Sequence, residues 1–262
     1  MPDALYEQDG SGRFLSTELT RGPWNPDHQH AGPPAALLAR AIERASAIGA
    51  GQTARLSFDI LGPVPIAALA VAARTLRAGR RVEQIEATLT GEDDRPFMRA
   101  TAWRIRLAET PDVATPQPPP PPPSEARTSG FASWPGDDEI AYRDALEWRW
   151  LNGSFSEPGP ACVWSRLKVP LVAGEEVTPL ERLLVMADAA SGVSAQLDWN
   201  RWLFVNLDLG IHLERPPRGE WMAMDAHTQI GDSGAGLCTS VLSDALGRVG
   251  TSTQTLLVER RA

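Results

Sequence analysis

Residues 32–48 read GPPAALLARAIERASAI, a run rich in alanine, leucine and isoleucine that predicts a mostly buried helix. Pro33 and Pro34 fit such a helix only in its opening turn, because the backbone N–H groups have no helical partner there. Four strand-like runs follow, separated by glycine, proline or acidic turns: ARLSFDIL, LAVAARTL, RVEQIEATL and FMRATAWRI. The first part of the chain is therefore expected to form one helix and then four antiparallel strands.

The same order recurs further along the chain. Residues 178–197, TPLERLLVMADAASGVSAQL, predict a second helix, and four strand-like runs follow it: WLFVNLDLGIHL, EWMAMDAHTQI, AGLCTSVL and VGTSTQTLLV. Three pairs of identical residues lie 153 positions apart without a gap: Pro63 and Pro216, Leu89 and Leu242, and Arg95 and Arg248. The recurrence indicates a duplication, and each copy is expected to be an α+β unit, one long helix on a curved antiparallel sheet.

Residues 115–130, TPQPPPPPPSEARTSG, differ in composition from the rest of the chain. Consecutive prolines lack amide donors and favour an extended left-handed helix, so this segment cannot lie inside a sheet. We interpret it as a stiff spacer; the alternative is a proline-rich ligand for a partner domain. The predicted organisation is an N-terminal unit of residues 1–110, a proline-rich linker of residues 111–137, and a C-terminal unit of residues 138–262 that carries the candidate site.

The composition of the 262 residues argues against several classes of function. The net charge of −8 argues against nucleic-acid binding, which needs a broadly positive face. The N-terminus has no secretory pattern, and no run approaches the roughly 20 apolar residues of a membrane span. We therefore expect a cytoplasmic protein without a membrane span. Cys162 and Cys238 lie outside any CxxC or Cys/His ligand spacing. We interpret them as reduced core residues and predict neither a metal nor another cofactor.

The hexapeptide GDSGAG, residues 231–236, resembles the surroundings of a nucleophilic serine. The 153-residue offset, however, maps it onto residues 78–83, which join two predicted strands. Aspartate, serine and glycine are also turn-forming residues. A nucleophilic serine needs a histidine base, and nothing in the sequence ties one to Ser233. The hexapeptide is therefore interpreted as a hairpin turn.

Three strings together resemble the acyl-CoA thioesterase II (TesB-like) family of double hotdog proteins: QHAGPPAALLARAI at the first helix, LLVMADAASG in the second, and STQTLL in the last strand. The resemblance covers nearly the whole chain outside the proline-rich segment. It implies a double hotdog fold, in which two tandem units each pack a long helix on a curved antiparallel sheet. It also implies an acyl-CoA or related thioester as substrate and hydrolysis as the reaction.

The resemblance further implies three site residues. In that family, an aspartate in the second hotdog helix, a threonine or serine on the following strand, and a glutamine in the final strand position a water for attack on the thioester. Asp188 matches the aspartate and Gln254 matches the glutamine. The hydroxyl position falls on Asn206, which is a departure, because an amide can hold a water but has no hydroxyl. Independently of the resemblance, a carboxylate in the apolar run LLVMADAAS needs partners and is a candidate general base.

Substrate contacts are predicted at three further places. Amide groups at the start of the first helix, near Gly32 and with His30 beside it, carry partial positive charge and form the candidate oxyanion and substrate-binding site. The phosphates of coenzyme A need cations, and two clusters are available: Arg77, Arg80 and Arg81, or Arg215 and Arg218. Tryptophans suit either an acyl tunnel or ordinary core packing, and the candidates are Trp148, Trp150, Trp199 and Trp202.

Two other functions remain open from the sequence. The heptapeptide WNPDHQH, residues 24–30, is similar to the signature of hotdog enoyl-CoA hydratases, with His28 at the histidine position and Pro23 where the aspartate is expected. The amide of Asn206 in place of a hydroxyl favours instead a non-catalytic protein that binds acyl thioesters. Two units in one chain already share an interface, so association into a homo-oligomer is expected but not required.

Overall fold

The computed structural model describes residues 2–128 and 141–261. Within them the chain forms three α-helices: α1 (Gly32–Ala45), α2 (Pro179–Ala187) and α3 (Ala190–Val193). The strands of the first part are β1 (Tyr6–Gln8), β2 (Phe14–Ser16), β3 (Gly51–Ile60), β4 (Ala68–Arg77), β5 (Val82–Thr90) and β6 (Pro96–Arg106). Those of the second part are β7 (Leu146–Ser154), β8 (Glu157–Leu167), β9 (Trp202–Asn206), β10 (Asp208–Leu213), β11 (Trp221–Ile230), β12 (Ala235–Asp244) and β13 (Gly247–Arg260).

The strands join into one antiparallel sheet in the order β1-β2-β4-β5-β6-β3-β10-β13-β12-β11-β8-β7, and β9 pairs with β13 off this path. The two parts of the chain meet where β3 pairs with β10, with Leu56 opposite Ile211. Because this contact is made by backbone hydrogen bonds, the two parts share a continuous sheet rather than only a side-chain interface.

The helices cover the inner face of the sheet. Strands β5 and β6 alternate between buried and less buried residues, and all buried positions except Glu83 and Arg104 are apolar, which gives α1 a largely apolar surface on which to pack. Helix α1 also packs closely against α2 at Gly32, where a Cβ atom would lie 2.4 Å from the Val185 carbonyl oxygen. Only glycine fits between the two backbones at this point.

Several predictions from the sequence are confirmed. The first helix begins at Gly32 with both prolines in its opening turn, and the four strands that follow it are all present. Residues 231–234 form the turn between β11 and β12, with Gly234 at φ 85° and Ser233 exposed. The 153-residue offset holds for the sheet, because β11 begins and ends 153 residues after β4, and β12 begins 153 residues after β5.

The predicted second helix, residues 178–197, is wrong in its extent, because α2 ends before Asp188 and a separate turn, α3, follows. In a continuous helix the Ser191 N–H would donate to the carbonyl four residues earlier. Instead it donates to Oε1 of Gln254, 3.0 Å away, while Nε2 of Gln254 donates to the Asp188 carbonyl oxygen at 2.9 Å. A side chain from strand β13 thus replaces helical hydrogen bonds.

Other departures concern the strands and the linker. Strands β7 and β8 precede the second helix and were not predicted, and the predicted run WLFVNLDLGIHL is divided at Leu207 into β9 and β10. The linker predicted for residues 111–137 lies partly outside the described residues. Its described part forms no strand, and the Pro121 carbonyl oxygen accepts a hydrogen bond from Nε1 of Trp164 on β8. These proline-rich residues therefore lie against the second part of the sheet.

Replacement of Gly32 by alanine is expected to destabilise the fold, because the added methyl group overlaps the Val185 carbonyl and forces α1 away from α2. Overpacking of this kind costs about 1–3 kcal/mol. Urea unfolding of Gly32→Ala and of Gly49→Ala, an exposed glycine with nothing within 4 Å of an added Cβ, measures the effect. A Gly32→Ala protein as stable as the Gly49→Ala control would contradict this account of helix packing.

Candidate active site

A cavity of about 300 Å³ lies where the two parts of the chain meet. Its walls come from the loop before α1, the β3–β4 connection, the break between α2 and α3, strand β9, and the chain from Tyr142 to Phe155 around β7. Asp188, Asn206 and His30 line it, whereas Gln254 lies behind Asp188 and does not. The structure therefore brings the three residues matched to the family, together with His30, to one place at the edge of this cavity.

Asp188 is the centre of this group. It caps the C-terminus of α2, where its carboxylate is almost completely buried. Its Oδ1 accepts hydrogen bonds from Nδ2 of Asn206 at 2.7 Å and from Nε2 of Gln254 at 3.3 Å, and its Oδ2 lies 2.9 Å from Nδ1 of His30. Both carboxylate oxygens are thus held, which satisfies the requirement that a buried charge be hydrogen-bonded.

Gln254 is completely buried, and the protein uses both ends of its amide. The oxygen accepts the Ser191 N–H, and the nitrogen donates to the backbone and the side chain of Asp188. In this geometry Gln254 holds Asp188 in position and reaches the cavity only through it.

Asn206 is the last residue of β9 and faces Asp188 across the cavity wall. Its Nδ2 donates to Oδ1 of Asp188 and, at 3.4 Å, to the Asp208 carbonyl oxygen. Its own Oδ1 accepts no hydrogen bond from the described part of the chain. The nitrogen of the Asn206 amide therefore orients the Asp188 carboxylate, while its oxygen remains available as an acceptor for a bound water. A hydroxyl would have to serve both functions with a single oxygen.

His30 is paired with the carboxylate rather than left as a loop residue. Nδ1 of His30 lies 2.9 Å from Oδ2 of Asp188, and the same nitrogen lies 3.2 Å from the Gly32 backbone nitrogen. The imidazole stacks on the Tyr142 ring with 3.8 Å between centroids and 6° between planes. Its Nε2 has no hydrogen-bond partner among the described residues, so this nitrogen is available to a bound molecule.

Tyr142 is a site residue that the sequence did not reveal, since it belongs to no motif and follows the proline-rich linker. Its hydroxyl donates to the Val185 carbonyl oxygen at 2.6 Å, which ties the stacked ring to α2. Burial, and after it the negative charge of Asp188, raises the pKa of Tyr142 well above its usual value. The ring is therefore neutral and rigid beneath His30.

The amides at the start of α1 differ from the prediction in one respect. The Gly32 N–H points at Nδ1 of His30 at 3.2 Å, and the two prolines that follow have no N–H. The N–H of Ala31, which lines the cavity, donates to no residue in the described part of the chain. The available N–H at the start of α1 is thus that of Ala31, one residue before the predicted Gly32.

The remaining candidates lie elsewhere or are used by the fold. Arg77, Arg80 and Arg81 lie at or near the β4–β5 turn, at the end of β4 away from the cavity, and none lines it. Their predicted role in binding coenzyme A phosphates gains no support from this position. The guanidinium of Arg215 makes two hydrogen bonds to Asp244, at 2.7 and 2.6 Å, and the Arg218 backbone N–H donates to the same carboxylate. The Arg218 side chain is exposed, and neither arginine lines the cavity.

The other predicted side chains can also be assigned a place. His28 lines the cavity, but the structure pairs His30 rather than His28 with a carboxylate, which weighs against the hydratase alternative. Trp148 and Trp199 line the cavity, whereas Trp150 is buried in the core and Trp202 stacks with Arg260.

Among residues 2–128 and 141–261, no three His, Cys, Asp or Glu side chains form a group that could hold a metal. No helix there is long and apolar enough to cross a membrane.

A largely antiparallel sheet that packs buried helices on its inner face is characteristic of the hotdog fold. A conserved protein of unknown function with this fold from Alicyclobacillus acidocaldarius superimposes with a TM-score of 0.73, at 15% identity over 96% of this chain and 93% of the other. A protein assigned as a thioesterase II from Thermobifida fusca gives 0.76, at 20% identity over 97% and 95%. A protein assigned as a thioesterase from Novosphingobium aromaticivorans gives 0.70, at 20% identity over 97% and 98%.

Comparison with family models identifies the chain more specifically. Residues 20–105 match the acyl-CoA thioesterase N-terminal domain, and residues 116–258 match the acyl-CoA thioesterase C-terminal domain. The chain therefore belongs to the acyl-CoA thioesterase family, and its enzyme class is thioester hydrolase. No curated protein matches it in sequence. The resemblance inferred from the sequence is confirmed.

The chain has two tyrosines, Tyr6 and Tyr142, and burial raises the pKa of both well above the usual value. We expect no tyrosinate absorbance from the native protein near pH 10, where exposed tyrosines ionise. Because the native state holds these protons more tightly than the unfolded chain, the two tyrosines do not alter the stability below about pH 10 and lower it as the pH rises further. A tyrosinate titration centred near pH 10, with the circular dichroism of the native fold retained, would contradict the burial of these rings.

Proposed function

We propose that this chain hydrolyses an acyl-CoA or related thioester with a water held at Asp188. The observation that carries the proposal is the carboxylate itself, whose Oδ1 is held by two amide nitrogens and whose Oδ2 is joined to His30 at the cavity wall. Together with His30, a carboxylate held in this way at a largely apolar cavity can accept a proton from water without first reorganising its surroundings.

In the proposed reaction the water oxygen attacks the thioester carbonyl carbon, and the C–S bond then breaks. One water proton passes to the Asp188–His30 pair and returns from it to the leaving thiolate, so the products are a carboxylic acid and a thiol. Nε2 of His30 is the atom without a protein partner, and we assign it the contact with the reacting groups. This division of roles, with a carboxylate orienting a histidine, recurs in unrelated hydrolases.

Two further groups complete the proposed site. Asn206 holds Oδ1 of Asp188 and offers its own oxygen to the water, in place of the hydroxyl found in the family. The Ala31 N–H, next to Gly32 at the positive end of α1, is assigned to the carbonyl oxygen that becomes negative during attack. Gln254 acts by positioning Asp188.

We further propose that the fold is a double hotdog, with an N-terminal unit of residues 1–110 and a C-terminal unit of residues 138–262. The constant 153-residue offset between β4 and β11 supports a duplication. The offset does not extend to the helices, because residue 185, which lies 153 positions after Gly32, falls inside α2 rather than at its start. The duplicated strands have therefore kept their spacing, whereas the second helix starts earlier and accommodates the catalytic carboxylate at its end.

The test is thiol release from acyl-CoA substrates by Asp188→Asn. We expect kcat/KM to fall at least about 100-fold, because the variant keeps the shape of the side chain but removes the negative charge on which the Asp188–His30 pair depends. Asp225→Asn, which changes an exposed carboxylate on β11, is the matched control, and Ser233→Ala tests the hairpin serine. Both are expected to retain activity.

Two results would contradict the proposal. Wild-type rates from Asp188→Asn would exclude the assigned base. A wild-type protein that binds acyl-CoA substrates but releases no thiol from any of them would favour the non-catalytic binding protein instead.

A further inference from the structure

Four aromatic side chains on four different segments form part of the apolar side of the cavity. Trp24 lies in the loop before α1, Phe155 in the β7–β8 turn, Trp199 between α3 and β9, and Phe204 on β9. Trp199 contacts the other three, with ring centroids 5.0 Å from Trp24, 5.2 Å from Phe155 and 4.5 Å from Phe204. We refer to these four residues as the aromatic wall.

The aromatic wall is continuous with the proposed catalytic residues. Phe204 and Asn206 are two positions apart on β9, so their side chains point to the same face of the strand. Gly192 lies in α3, four residues after Asp188, and also lines the cavity. A Cβ added there would lie 3.7 Å from the rings of Phe155 and Trp199. A thioester carbonyl placed at Asp188 would therefore direct its acyl group toward these rings.

The size of the cavity limits that acyl group. A volume of about 300 Å³ lies at the small end of the range for ligand pockets, about 300–1,000 Å³, so the cavity suits a short acyl group. A phenylacetyl or octanoyl group is of this size, whereas a palmitoyl group is about twice as large. Flat rings also contact other aromatic rings more favourably than saturated chains of equal area do, by offset or edge-to-face packing.

From this geometry we infer that the acyl group is a small aromatic one, of the phenylacetyl class, delivered as a thioester. The inference rests on the proposed thioesterase function and specifies its substrate. The rings of the aromatic wall select the acyl group, while Asp188 and His30 act on the carbonyl that every thioester shares.

The experiment compares kcat/KM for thiol release from phenylacetyl-CoA and cyclohexylacetyl-CoA, with octanoyl-CoA and palmitoyl-CoA as chain-length references. In both ring substrates a methylene group separates the ring from the carbonyl, so their intrinsic reactivities are similar and the ratio reports ring recognition. We expect the aromatic substrate to be favoured about fivefold, which corresponds to about 1 kcal/mol. Palmitoyl-CoA is expected to be the poorest of the four.

Trp199→Leu is expected to remove the preference for phenylacetyl over cyclohexylacetyl, so that the ratio of the two kcat/KM values falls to about one. Trp202→Leu is the matched control, because Trp202 lies outside the cavity and stacks with Arg260. If Trp199→Leu does not fold, inhibition of octanoyl-CoA hydrolysis in the wild type by phenylacetate and by cyclohexylacetate gives the same comparison. Stronger inhibition by phenylacetate is then expected.

The outcomes separate this inference from the proposed function. Hydrolysis of octanoyl-CoA and cyclohexylacetyl-CoA without a preference for the aromatic ring would overturn the inference and leave the thioesterase intact. A preference that survives in Trp199→Leu would also overturn it, because the aromatic wall would not be its source. Absence of thiol release from all four substrates would overturn both.

Discussion

The side-chain amide of Gln254 takes over the hydrogen bonds that would have continued helix α2 past Asp188, and the rest of the site depends on this substitution. One end of the amide accepts the Ser191 N–H and the other donates to Asp188. As a result α2 ends next to Asp188, and the carboxylate of this residue lies at the cavity wall. In a continuous helix this carboxylate would be buried along the helix instead. Gln254, which is completely buried between strand β13 and the end of α2, therefore fixes the position of Asp188 without taking part in the reaction itself.

The second half of the site comes from the other part of the chain, and its distance from Asp188 is fixed by backbone contacts. Strands β3 and β10 pair in one sheet, and α1 approaches α2 so closely that only glycine fits at residue 32. His30, two residues earlier, is thereby held against Asp188, and the Tyr142 ring beneath it is tied to α2 through the Val185 carbonyl. The Asp188–His30 pair therefore needs both parts of the chain, although the carboxylate belongs to only one of them.

Much of the fold could be predicted from the sequence, because local patterns determine it: the proline-led helix at Gly32, the four strands after it, and the turn that contains Ser233. The proximity of Asp188, Asn206 and Gln254 also followed from the family resemblance, although their roles remain a proposal. The break at Asp188 could not be predicted, since its cause is a side chain 66 residues away. Tyr142 and the Ala31 N–H were missed for a similar reason, because neither has a local pattern and both acquire their position only through tertiary packing.

The central claim is that Asp188 and His30 act as one unit, and a double-mutant cycle on kcat/KM tests it most directly. The cycle compares wild type, Asp188→Asn, His30→Gln and the double variant with a single acyl-CoA substrate. If the two residues form a unit, the double variant loses no more activity than the worse single variant, because each change alone already disables the pair. Losses that multiply would show that the two side chains act independently and would contradict the account.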